Sequence, residues 1–199
     1  MRVLTALHDK VFARRTRSLA RHLAELIPAN AECLDVGCGD GTIDELVLSL
    51  RPDVTIEGID VLARPNTKIP VSGFDGRRIP FPAGAFDAVV LVDVLHHAES
   101  PASLLRESAR VARRFVIIKD HLLEGLLAAP TLRFMDWVGN DRHGVALPYN
   151  YWRPDEWRKA FDESSLSPEE WRTQIGLYPY PASLFFERGL HFVCRLRIR

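Results

Sequence analysis

The chain has no surplus of charge: 26 Lys and Arg stand against 26 Asp and Glu in 199 residues. A nucleic-acid partner would normally require a basic excess, so the balance argues against one. Cysteine is scarce, and Cys33, Cys38 and Cys194 include no C-x-x-C pair. That speaks against a disulfide framework and a zinc site, and fits a reducing compartment. Long hydrophobic runs are missing too. The N-terminal stretch meets charge at His8-Asp9-Lys10 and offers no signal-peptide core. No apolar run nears the roughly 20 residues that span a bilayer, so no transmembrane segment and a cytoplasmic location are expected. Repeats, low-complexity tracts and linkers are absent as well, and the length suits one domain over 1–199.

What is present is a rhythm. Phe12, Leu19, Leu23, Leu26 and Ile27 fall at helical spacing, and Pro28 marks a stop. Arg14, Arg15, Arg17 and Arg21 on that helix read as a solvated face. Strands are then expected at Cys33–Val36, Val54–Ile59, Ile69–Ser72, Phe86–Val92 and Phe115–Ile118. Between them lie helices at Ile43–Leu50 and from Ser100-Pro101, where a hydroxyl and a first-turn proline make a helix start. Such alternation gives a parallel sheet covered on both faces. Beyond Lys119 the pattern changes. Gly139–Trp152 is irregular, Pro154 opens a helix, and Trp171–Leu177 and His191–Ile198 read as the last strands.

The run Leu34-Asp35-Val36-Gly37-Cys38-Gly39-Asp40-Gly41-Thr42 carries most of the chemistry. A strand, a glycine-rich turn and a helix start make a nucleotide cradle, with the helix N-terminus aimed at the ligand. The dinucleotide fingerprint needs G-x-G-x-x-G, but its last position here is Thr42 and the third glycine arrives early, at Gly41. Asp60 ends the second strand, where an acid accepts from ribose hydroxyls or else caps a helix. Phe74-Asp75-Gly76 and Phe86-Asp87 follow, then Val92-Asp93-Val94-Leu95-His96-His97. A carboxylate such as Asp75 with the next main-chain N–H suits the adenine edge.

From Ala31 to Lys119 these pieces, in this order, resemble the class I S-adenosylmethionine-dependent methyltransferases. The resemblance implies a three-layer Rossmann-like α/β sandwich with a mostly parallel seven-stranded sheet and an antiparallel last strand. It implies S-adenosylmethionine as cofactor, leaving S-adenosylhomocysteine as product. Asp35, Gly37 and Gly39 would hold its methionine portion, Asp60 its ribose, and Asp75 with Gly76 its adenine, and Cys38, Val61 and Asp93 are also expected among the cofactor-binding residues. The chain would divide into a lid helix over 1–28, a cofactor half over 31–119 and an acceptor half over 120–199. A non-catalytic S-adenosylmethionine-binding regulator keeps the same residues, and a nicotinamide-dependent oxidoreductase shares the loop and Asp60.

Methyl transfer from a sulfonium is an in-line displacement, and a hydroxyl acceptor also needs a base. His121, oriented by Asp120 or Asp136, is the first expectation for that base and His96 the second. His96, His97, His121, Asp136 and His143 hold metal-type donors without helical H-x-x-x-H spacing, and no metal is expected. The acceptor is expected to be a small molecule, aromatic or apolar, shaped by Trp137, Tyr149, Tyr151 and Trp152.

Overall fold

The computed structural model describes residues 2–62, 64–140 and 148–199. Helix α1 (Arg2–Leu26) leads into β1 (Glu32–Val36), α2 (Thr42–Leu50), β2 (Thr55–Asp60), β3 (Val71–Gly73) and β4 (Phe86–Val92). A short 3-10 turn (Leu95–His97), α3 (Pro101–Val111), β5 (Ala112–His121), α4 (Ala128–Asn140) and α5 (Pro154–Glu163) follow. The chain closes with β6 (Leu166–Arg172), the four-residue α6 (Ser183–Phe186) and β7 (His191–Ile198).

One sheet orders the strands β3-β2-β1-β4-β5-β7-β6. The first five pair in parallel, and β7 runs antiparallel to both β5 and β6. The apolar strands are buried on both faces, so successive residues feed different cores. Val89, Leu91, Val116 and Ile118 pack with Leu105, Trp157 and Phe192 on the face covered by α3 and α5. Val90, Ile117 and Val193 pack with Leu19, Leu23 and Val47 on the face covered by α1 and α2. This is the expected three-layer sandwich. Among the described residues no helix is long and apolar enough to cross a membrane.

Two expected elements move. The strand read at Trp171–Leu177 lies earlier, at β6, because α5 ends at Glu163 and Ser165 turns the chain with φ 56°. Leu166 then pairs with Ile198, while Ile175 and Leu177 leave the sheet and bury beside α1 residues. The third strand slides to Val71–Gly73, where it pairs with the end of β2. Of the stretch read as irregular, residues 139–140 end α4 (Ala128–Asn140), and 141–147 lie outside the described residues.

Candidate active site

The carboxyl ends of β1, β2 and β4 meet at one rim, where open parallel sheets bind ligands. At the end of β1 the backbone turns back on β2: Gly37 N–H donates to Ile59 O at 2.7 Å. Gly39 N–H donates to Asp60 Oδ2 at 2.8 Å, and Leu62 N–H to Asp60 Oδ1 at 2.7 Å. Asp60 therefore braces the loop while lining the cavity, and its remaining lone pairs are the ones a ribose would use. Gly39 has φ 63°, and a Cβ there would meet nothing closer than Arg64 Nε at 3.7 Å. The space over it is left for a ligand. Gly41, at φ 78°, is closed instead: a Cβ would come 2.6 Å from Ile69 Cγ1. The early glycine is thus demanded by packing against the segment that enters β3.

Cys38 points the other way, its sulfur against Gly58 on β2, and burial pushes its thiol up. Only its backbone belongs to the loop's ligand side. Asp35 and Asp44 lie buried close to each other. Burial raises both carboxyls; Asp35 goes well above its usual range and Asp44 to about 6. Val61 and Asp75 with Gly76 line the cavity farther out. Asp75 Oδ1 accepts N–H bonds from Arg77 and Arg78, both at 2.8 Å, which hold its turn in place.

The cavity measures about 710 Å³ and continues from the loop to a polar cluster at the ends of β4 and β5. That is within the range of roughly 300–1,000 Å³ typical of small-molecule sites. Asp93, at φ 57°, takes an ion pair from the buried Lys119 and another from Arg15 of α1. Burial opposes the Asp93 charge, yet the two cations hold its carboxyl well below the usual range. Asp93, expected at the cofactor's methionine end, is thus already engaged by two cations.

Asp120 organises the histidines. Its Oδ1 lies 2.6 Å from His96 Nδ1 and 3.3 Å from His121 Nδ1. His96 Nε2 lies 3.5 Å from Asp136 Oδ1, and Asp136 also accepts from Tyr151. Burial pulls His96 down, but the two carboxylates outweigh it and raise its pKa to about 10. That direction favours the protonated ring, whereas the base role expected second would use the neutral one. His121 shares that dry environment without such support. Burial, then Lys119 and His96, bring it down to about 4, so it stays neutral. His97 is lowered by burial and by the His96 charge, and its Nδ1 has no hydrogen-bond partner among the described residues.

Two groups of metal-type donors come within 4.8 Å: Asp93, His96, Asp120 and His121, and His96, His97 and Asp136. Tertiary proximity supplies what sequence spacing did not. Within these groups Asp93 is paired with Lys119 and Arg15, while Asp120 and Asp136 face His96. His143 lies outside the described residues.

Arg15 is the cavity-lining residue that the solvated-face reading missed. It falls in phase with Val11, Leu19 and Leu23 at four-residue steps, and a cation inside an apolar stripe was the available signal. The expected aromatics also divide differently. Trp152 packs edge-on against Trp157 at 4.8 Å and Tyr151 is tied to Asp136, whereas Phe12, Phe134, Tyr178 and Phe186 line the cavity.

The family model described as "Methyltransferase domain" matches residues 9–170. The chain belongs to this methyltransferase family. The glycine cradle, open over Gly39 and flanked by Asp60, fits the S-adenosylmethionine that membership implies. Among curated relatives, 27-O-demethylrifamycin SV methyltransferase of Amycolatopsis mediterranei (strain S699) is 29% identical over 113 residues, 49% of this chain and 41% of that protein. Malonyl-[acyl-carrier protein] O-methyltransferase of Legionella pneumophila subsp. pneumophila (strain Philadelphia 1 / ATCC 33152 / DSM 7513) is 33% identical over 103 residues, 47% of this chain and 36% of that protein. These matches thus span only 41% and 36% of the two curated relatives. A protein solved in complex with the Trm112 methyltransferase activator of Haloferax volcanii shares the fold. Its TM-score is 0.71 at 16% identity, over 96% of this chain and 93% of that one.

Proposed function

We propose that this protein transfers a methyl group from S-adenosylmethionine to a hydroxyl-bearing small molecule. The observation that carries the reading is one cavity joining a glycine cradle to a histidine–carboxylate cluster. Bound there, S-adenosylmethionine supplies a methyl carbon already activated by a positive sulfur. The loop and Asp60 would seat its amino-acid and ribose parts, and Asp75 with the Gly76 N–H its adenine. Residues 1–28 would serve as the lid, 31–119 as the cofactor half and 120–199 as the acceptor half.

His121 would take the acceptor's proton. Its Nδ1 faces Asp120, which leaves Nε2 as the nitrogen with a free lone pair. Asp120 would orient the ring, and cationic His96 would favour the ionised acceptor oxygen electrostatically. An oxygen acceptor is also what the name of the Legionella relative specifies for that protein. The aromatic side chains lining the cavity support an apolar or aromatic acceptor body.

The test begins with labelled S-adenosylmethionine and a cell extract, to find the acceptor. His121→Ala should then lower turnover by about 10²–10⁴-fold while S-adenosylhomocysteine affinity stays unchanged. Full turnover in that variant would refute the assignment and move the base to His97. Because His121 is neutral down to about pH 4, wild-type turnover should not show the acid-side fall near 6.5 of an ordinary histidine base.

A further inference from the structure

Three of the four arginines clustered on α1 remain after Arg15 turns inward. Arg14, Arg17 and Arg21 are exposed, and among the described residues none has a hydrogen bond or ion pair. They recur at steps of three and four, so each is the neighbour of the next on one helix face. Like-charge neighbours of this kind destabilise a helix unless something answers their charge. Elsewhere the protein answers such charges with carboxylates: Arg51 pairs with Asp53, Arg172 with Glu25 and Glu170, and Arg195 and Arg197 with Glu169. On this face no carboxylate among the described residues does so.

The arginines also line a concavity. Together with Ser18 and Gly176 they enclose a cleft of about 280 Å³ beside the turn after β6. The floor is fixed, because Ser18 Oγ donates to Ile175 O at 2.6 Å. Gly176 has φ 62°, a conformation that side chains rarely adopt. Arg14, Arg17 and Arg21 line the rest of the cleft.

We infer that Arg14, Arg17 and Arg21 form a binding site for a phosphate-type anion, separate from the methyl-transfer cavity. Guanidinium groups match phosphate oxygens in two-point hydrogen bonds, which a bare ammonium does not offer. From Arg14 to Arg21 the helix rises about 10 Å at 1.5 Å per residue, a reach suited to a diphosphate or to two phosphate groups. Three cations are too few for a duplex, since proteins gripping DNA typically make about 6–10 phosphate contacts, and the chain's net charge is zero. The anion would come either as a free phosphorylated small molecule or as a lipid headgroup. Since Val11, Phe12 and Arg15 of the same helix line the large cavity, an occupied cleft would also steady the lid helix.

Calorimetry on the full chain at low ionic strength tests this, with inorganic pyrophosphate and inorganic phosphate as probes. In parallel, sedimentation is run with phosphatidylglycerol and phosphatidylcholine vesicles. Saturable pyrophosphate binding that weakens at least tenfold in the triple variant R14Q/R17Q/R21Q supports a soluble phosphate ligand. Binding to phosphatidylglycerol vesicles alone, lost in the same variant, supports the headgroup. S-adenosylhomocysteine affinity should be unchanged in either case, which also shows that the variant is folded. The inference is overturned if pyrophosphate, phosphate and phosphatidylglycerol vesicles all fail to bind the wild type, or if the triple variant binds as well as wild type.

Discussion

Asp35 and Asp44 put two carboxyl groups into one dry space, and Asp35 Oδ1 and Asp44 Oδ2 have no hydrogen-bond partner there. A shared proton relieves part of that cost. Asp44 is held by burial at about 6 when folded, against roughly 3.9 for a free aspartate. The folded state thus binds the proton more tightly, and stability falls as pH rises through that window. Asp44→Asn should therefore raise the urea midpoint at pH 7.5, by on the order of 1–2 kcal/mol in unfolding free energy. The advantage should shrink as pH drops toward 4. A variant less stable than wild type at both pH values would show that the ionised carboxylate is needed. The pair could not be read from the chain, because nothing in D-x-G-x-G-x-G announces that Asp44 folds back beneath it. The glycine-rich turn after β1 was legible for the opposite reason: a few consecutive residues build it.

Helix α1 works as two segments. Leu19, Leu23 and Leu26 are fully buried in the core under the sheet, whereas Val11, Phe12 and Arg15 line the cavity, with Arg15 paired to Asp93. Arg15→Gln should speed amide hydrogen exchange over 11–17 about tenfold, equivalent to one charge-assisted bond at about 1.5 kcal/mol. Exchange at 19–26 should not change. Leu23→Ala should do the reverse, costing the whole fold about 2–5 kcal/mol in urea unfolding. Equal effects of Arg15→Gln on both segments would mean the helix opens as one unit. The helix itself was legible from its apolar period. Its division was not, because the partner that pins Arg15 lies 78 residues away in sequence.

At the scale of the molecule, the strand order collects chemistry from distant segments at one rim. S-adenosylhomocysteine at 100 times its dissociation constant should stabilise the folded state by about 2.7 kcal/mol, a rise of about 5–10 °C in Tm for a domain of this size. NADH should give none. A shift with NADH alone would return the glycine loop to the dinucleotide enzymes. The sequence by itself determined the alternating α/β build and the glycine-rich turn after β1, since local backbone geometry and short apolar periods dictate these. The tertiary structure decided what lies across the sheet: β6 starting at Leu166, Arg15 on Asp93, His96 between Asp120 and Asp136, and His121 kept neutral. Charge state and proximity there depend on burial and on long-range pairing, and neither is a property of neighbours in the chain.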